Sequence, residues 1–185
     1  LFILTIYFLQ RKKYLFLGIT SLIFVLLHSS FIFQLLTIIL YFILEKIFSK
    51  KFDYKLLLYP FFGVVLGLLV NPYFPNNISF LYTQIFEVNL LANLFNVEWK
   101  PWTFLDFVKN NLLVLVYFSI IIFILFKERK ISKNKTLYLS LAILFFAYTI
   151  LSRRMQEFLI PFLILTLSLF LNPYINKFDK KQLLR

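Results

Sequence analysis

Every long apolar stretch in this chain is fenced by lysine and arginine, and the fences recur after each outward-and-return pass. The basic residues group at 11–13, 46–55, 127–135 and 177–185, leaving Lys100, Lys109, Arg153 and Arg154 as the exceptions. Basic clusters that flank apolar runs are what the positive-inside rule leaves in a multi-pass membrane protein. A chain patterned this way folds in lipid, and 61% hydrophobic residues exclude an ordinary soluble domain. The net charge of +12 therefore reflects topology. It is balanced by an anionic inner leaflet, and no nucleic-acid partner is expected. The acids divide between the two sides, with Glu45, Asp53, Glu128 and Asp179 among the clusters and Glu87, Glu98, Asp106 and Glu157 opposite them.

Span lengths follow from the apolar thickness. About 20 residues of helix cross roughly 30 Å of hydrocarbon. Residues 1–9 read as the end of one such helix. Residues 14–44 carry no charge, and as one helix would reach about 46 Å, too long for a single crossing. Two helices meeting near His28, Ser29 and Ser30 satisfy both the length and the next lysine fence. Residues 56–70 then cross outward and contain Gly63 and Gly67 at the GxxxG spacing that lets helix backbones approach. The turn formers Asn71-Pro72-Tyr73-Phe74-Pro75-Asn76-Asn77 end this span.

An extracytoplasmic loop is expected over 72–109. Its residues 78–95 are too polar to span, yet Leu81, Ile85, Val88, Leu91 and Phe95 recur at helical spacing. They predict an amphipathic helix lying on the interface, with Trp99 and Trp102 in the aromatic belt. Thr103 and Asp106 have capping-box spacing and mark another helix start. Residues 111–126 return inward, 136–151 go out, 156–171 come back, and 177–185 form a cytoplasmic tail. The expected fold is all-α: a polytopic transmembrane helical bundle of about seven crossings, the first incomplete. It is read as one domain over 1–185, the C-terminal part of a longer protein in the bacterial cytoplasmic membrane. Gln34, Thr37, Thr149 and Thr166 are expected to hydrogen-bond between helices.

Without cysteine, and with one histidine, the chain offers no disulfide, thiolate or clustered metal site. The residues that carry chemistry are few. Arg153 and Arg154 lie opposite the basic clusters. Local pairing with Glu157 at i,i+4 and i,i+3 explains them, as does snorkelling to lipid phosphates. A guanidinium fork gripping a phosphate explains them too. His28, in a serine-bearing turn, is either a hydrogen-bonded turn residue or a ligand or acid–base group. Glu98 beside Trp99 offers a carboxylate and a stacking surface, suited to a sugar or to simple interfacial anchoring. No nucleophile elbow, phosphate-cradling glycine loop or zinc motif is present.

Asn71-Pro72-Tyr73-Phe74-Pro75-Asn76-Asn77, Gln84, Glu98-Trp99 and Ser152-Arg153-Arg154, followed by Glu157-Phe158 and Pro161-Phe162, carry a resemblance. The chain resembles the C-terminal half of bacterial membrane proteins similar to the C-type (GT-C) glycosyltransferases, relatives of the dolichyl-phosphate-mannose protein mannosyltransferases. The resemblance implies sugar transfer from a polyprenyl-phosphate donor at the outer face. It places the catalytic acid in a first extracytoplasmic loop outside this sequence, so no catalytic residue is carried over. Arg153, Arg154, Glu157, Glu98 and His28 remain as substrate-binding candidates. No cofactor is read from these residues, and a divalent cation would be held by the N-terminal part. The implied reaction is inverting displacement at the anomeric carbon, with arginines stabilising the departing lipid phosphate. A transporter or flippase, a lipid-linked glycan polymerase, and a non-catalytic membrane protein are the alternatives.

Overall fold

A computed structural model describes residues 1–50, 52–83, 98, 100–128 and 130–182. Among them there is no strand, and the chain divides into two compact units, Leu1–Leu91 and Ala92–Arg185.

The first unit contains α1 (Phe2–Gln10), α2 (Tyr14–Leu27), α3 (Phe31–Ser49), α4 (Lys55–Val70) and α5 (Asn76–Tyr82). The predicted break at His28–Ser30 separates α2 from α3, with His28 in an extended conformation. The basic fences are where helices stop. Lys12 lies between α1 and α2, and Lys50 caps α3; both have left-handed φ, 52° and 53°. Cations there also face the negative ends of the helix dipoles.

α2 and α4 cross at the three glycines of the chain. A Cβ added at Gly63 would lie 2.1 Å from the Gly18 carbonyl oxygen, and one at Gly18 would lie 2.9 Å from that of Tyr59. At Gly67 it would meet Val25 Cβ at 2.9 Å. Only glycine permits so close an approach. Around this crossing Phe24, Val25, Phe31 and Val64 form the buried cluster, with Phe2 and Leu68 against it.

At the lysine-rich end, Lys12 Nζ donates to Glu45 Oε1 at 2.7 Å and lies 3.7 Å from Asp53 Oδ2. The Tyr14 hydroxyl donates to the same Asp53 oxygen at 2.7 Å. Glu45 is 3% exposed, so this pairing answers the cost of a buried carboxylate. Its hydrogen bond to Glu45 raises the Lys12 pKa above the ordinary 10.5, against an opposing effect of burial.

The second unit contains α6 (Phe104–Asn110), α7 (Leu112–Lys127), α8 (Lys133–Leu151), a 3₁₀ turn (Arg153–Met155) and α9 (Gln156–Gln182). Thr103 caps α6 as the spacing predicts: its hydroxyl accepts from the Asp106 N–H at 3.3 Å and donates to the Asp106 carboxylate at 2.7 Å. A break of 81° separates α6 from α7. α8 and α9 pack through rings, with Phe145 stacked on Phe162 (centroids 5.3 Å apart, planes at 8°) and on Phe158 (5.4 Å, 22°). Phe145 is fully buried. Lys135 and Glu128 form an ion pair at the basic end of α8.

Among the described residues, three helical stretches are long and apolar enough to cross a membrane: Phe31–Ser49, Lys133–Leu151 and Arg153–Ile175. The bent pair α6 and α7 makes a fourth if it counts as one span. Tyr14–Leu27 and Lys55–Val70 are apolar but shorter. Large side chains stay exposed on these helices, as with Phe126 at 88% and Phe61 at 60%, which suits contact with lipid. The described helices therefore support a membrane protein.

The polar residues inside the helices behave differently from expectation in three cases. Gln34 does bridge helices, donating from Nε2 to the Thr5 hydroxyl of α1 at 2.8 Å. Thr37, Thr149 and Thr166 instead donate to the carbonyls of Phe33, Phe145 and Phe162, four residues back in their own helices. A hydroxyl on Cβ reaches that carbonyl without needing a neighbour.

Candidate functional site

The arginine pair lies where α8 gives way to α9. Ser152 leaves the helix in an extended conformation (φ −150°, ψ 123°), and Arg153–Met155 form a single 3₁₀ turn. The i,i+4 pairing expected of Arg153 and Glu157 requires continuous α-helix, and the turn removes that geometry. Arg153 lies instead over the indole of Trp102, its Cζ 4.4 Å from the ring centroid, a cation–π contact. Glu157 is exposed in the first turn of α9, where a carboxylate suits the helix dipole. Arg154 is half-buried.

The chain before α6 is laced to this turn through its backbone. The Trp102 N–H donates to the Ile150 carbonyl at 3.1 Å, and the Arg153 N–H donates to that of Lys100 at 3.3 Å. The Ser152 hydroxyl donates to the Glu98 carbonyl at 3.4 Å. Glu98 thus joins the arginine turn through its main chain, while its side chain is exposed. Trp99, Gln84, Glu87 and most of the expected amphipathic helix, residues 84–95, lie outside the described residues; α5 covers its beginning.

Beside this turn, Asn111 fills the break between α6 and α7 at 2% exposure, and its Oδ1 accepts a hydrogen bond from Gln156 Nε2. Three N–H groups here are buried with no acceptor among the described residues: Trp102 Nε1, Arg153 Nε and Asn111 Nδ2. Leaving a buried donor unmatched costs about 1–3 kcal/mol. All three are donors, and one is on a cation. The described residues offer these donors no acceptor, and a phosphate has the charge and the lone pairs to serve.

His28 belongs to the first unit. Its Nδ1 accepts from the Ser30 N–H at 2.9 Å, so in the neutral ring the proton sits on Nε2. Among the described residues no group of three His, Cys, Asp or Glu is placed to hold a metal ion.

The sequence reading singled out Arg153 but not the partners that define its setting. Sequence alone puts Trp102 in an interfacial belt and makes Asn111 and Gln156 no more than the first residues of spans, whereas the structure sets Trp102 against Arg153 and Asn111 against Gln156. Asn111 carried a signal, since it is an uncharged polar residue at the mouth of an apolar run. Comparison with family models, with curated proteins and with solved structures finds no match to this chain.

Proposed function

We propose that this chain is the phosphate-binding part of a C-type-like membrane glycosyltransferase that transfers a sugar from a polyprenyl-phosphate donor. The single observation behind the reading is the trio of unmatched buried donors at Trp102, Arg153 and Asn111. In this reading the basic clusters lie in the cytoplasm, the C-terminus with them, and the chain makes seven crossings. The short α2 and α4 count as spans, and the arginine turn opens at the outer face.

The chemistry asked of the site is binding and leaving-group stabilisation. The guanidinium of Arg153, held over the Trp102 ring, offers Nε–H and its terminal N–H groups to phosphate oxygens, and Arg154 adds a second positive charge. As the anomeric bond breaks, charge builds on those oxygens, and fixed donors stabilise it more than they stabilise the ground state. The general base is not among the residues assigned here. Glu98 and Glu157 are left as contacts at the rim.

The test compares undecaprenyl phosphate with undecaprenol in nanodiscs, read by tryptophan fluorescence. The phosphate is expected to bind saturably and the alcohol weakly. Arg153→Ala should weaken phosphate binding by about tenfold to a hundredfold, as loss of a charge-assisted contact does. Equal binding of phosphate and alcohol, or an unaffected Arg153→Ala, would overturn the reading. Release of sugar from a panel of undecaprenyl-phosphate sugars then separates transfer from mere binding.

A further inference from the structure

The first unit holds a cavity of about 480 Å³ at the end of α2 remote from the Lys12 network. His28 and the turn after α4 form its polar side, through Asn71, Tyr73 and Asn77, while Leu68 and Phe80 are among its apolar walls. The size falls in the range of roughly 300–1,000 Å³ that takes a small organic ligand. None of the described lining residues is Lys, Arg, Asp or Glu. A charged headgroup would enter without a counter-charge, at a cost in desolvation.

What remains on the polar side is a mixed set of donors and acceptors. Asn71 Oδ1 is taken by the Tyr73 N–H at 3.0 Å, which directs the hydrogen-bonding capacity of Asn71 to its amide N–H₂. Asn77 is used the other way round: its Nδ2 donates to the Leu68 carbonyl at 2.9 Å, and its Oδ1 is buried with no partner. His28 presents the Nε2 proton, because Nδ1 is held by Ser30. An acyl chain in this space would leave the Asn77 oxygen unmatched. Tyr73 and Phe80 add exposed aromatic faces, at 75% and 63%.

We infer that this cavity binds a neutral, hydroxyl-rich ring, the sugar of a glycolipid or a free sugar. Each hydroxyl of such a ring both donates and accepts, which answers Asn77 Oδ1 and His28 Nε2–H together. Its C–H face stacks on an aromatic side chain. The inference does not depend on the phosphate reading of Arg153, which concerns the other unit.

The chain has one histidine, so selective ¹⁵N-histidine labelling gives one pair of ring nitrogen signals. The whole chain in phosphatidylcholine nanodiscs is titrated with octyl glucoside, octyl galactoside and octyl mannoside, with methyl glucoside, and with octyldimethylamine oxide as the tail without a sugar. At least one octyl glycoside is expected to move the Nε2 signal saturably, while the amine oxide leaves it in place. A shift with methyl glucoside as well points to a free sugar; a shift confined to the octyl glycosides puts the sugar on a lipid. Tyr73→Ala, at an exposed position, is expected to weaken binding by about tenfold, the scale of one lost stacking contact. Asn77→Leu should abolish the shift, with circular dichroism verifying that the helices persist. The inference is overturned if the amine oxide acts like the glycosides, if no octyl glycoside moves the signal, or if Tyr73→Ala binds unchanged.

Discussion

The two units solve the same packing problem with opposite materials. In the first, α2 and α4 meet backbone to backbone at Gly18, Gly63 and Gly67. In the second, which has no glycine, α8 and α9 meet through the stacked rings of Phe145, Phe158 and Phe162. In lipid, burying apolar area between helices gains little, because acyl chains are as apolar as leucine. Dense contact must do what water exclusion does elsewhere, and it is reached either by removing side chains or by interlocking large ones. The two routes differ in tolerance. A crossing made of backbone admits no added atom, whereas a ring stack accepts a smaller apolar side chain at a graded cost.

The sharpest break of this comparison is Phe145→Ala. Emptying a fully buried ring position should cost about 4 kcal/mol, read as a lower midpoint of unfolding in mixed micelles. Phe145→Leu should cost no more than roughly 1.5 kcal/mol, since it keeps most of the volume; a loss as large as that of alanine would show that stacking geometry, not filling, holds the pair.

Next comes Gly63→Ala, where a single methyl must force two backbones apart, at about 3 kcal/mol. If Gly63→Ala proves neutral, the close approach of α2 and α4 is not what holds the first unit. A smaller effect is expected from Lys12→Met, which takes from the buried carboxylate of Glu45 its hydrogen bond and ion pair with Lys12. A fully buried pair would lose about 3–5 kcal/mol, but Lys12 is 37% exposed in its side chain, so roughly 2 kcal/mol is expected in the same assay.

The smallest effect is one of pH. Lys12 titrates higher in the folded chain than the ordinary 10.5 because Glu45 accepts its hydrogen bond. Its contribution is therefore complete below pH 10.5 and is lost as the pH climbs through the raised value. Unfolding midpoints measured from pH 8 upward should show wild type falling towards Lys12→Met only in that alkaline range. A gap that closes below pH 10 would count against the pairing.

Local patterns were readable in the sequence wherever a single residue or spacing decides them. The break at His28, the end of α4 at Val70, the end of α8 at Leu151 and the Thr103 cap all follow from length, charge and turn chemistry. The GxxxG spacing announced a close helix approach, but not that Gly18 would supply the opposing backbone, since partner choice is a tertiary fact. The threonines misled because their own helix satisfies them. The 3₁₀ turn at Arg153 misled for a related reason: i,i+4 arithmetic presumes an α-helix, and whether the helix continues through Ser152 depends on the 98–102 segment hydrogen-bonded beside it. No linker separates the two units in composition, so their division is visible only in contacts.

The glycine crossing also limits how the gene itself can drift. A chain with 26 phenylalanines and 3 glycines has the composition that codons rich in adenine and thymine produce, and glycine, with two guanines in every codon, is among the first residues such a gene sheds. At positions 18, 63 and 67 that trade is closed, because no Cβ fits there without moving a neighbour. Substitution pressure can repaint the lipid-facing surface almost freely, but at these three positions it meets a steric floor.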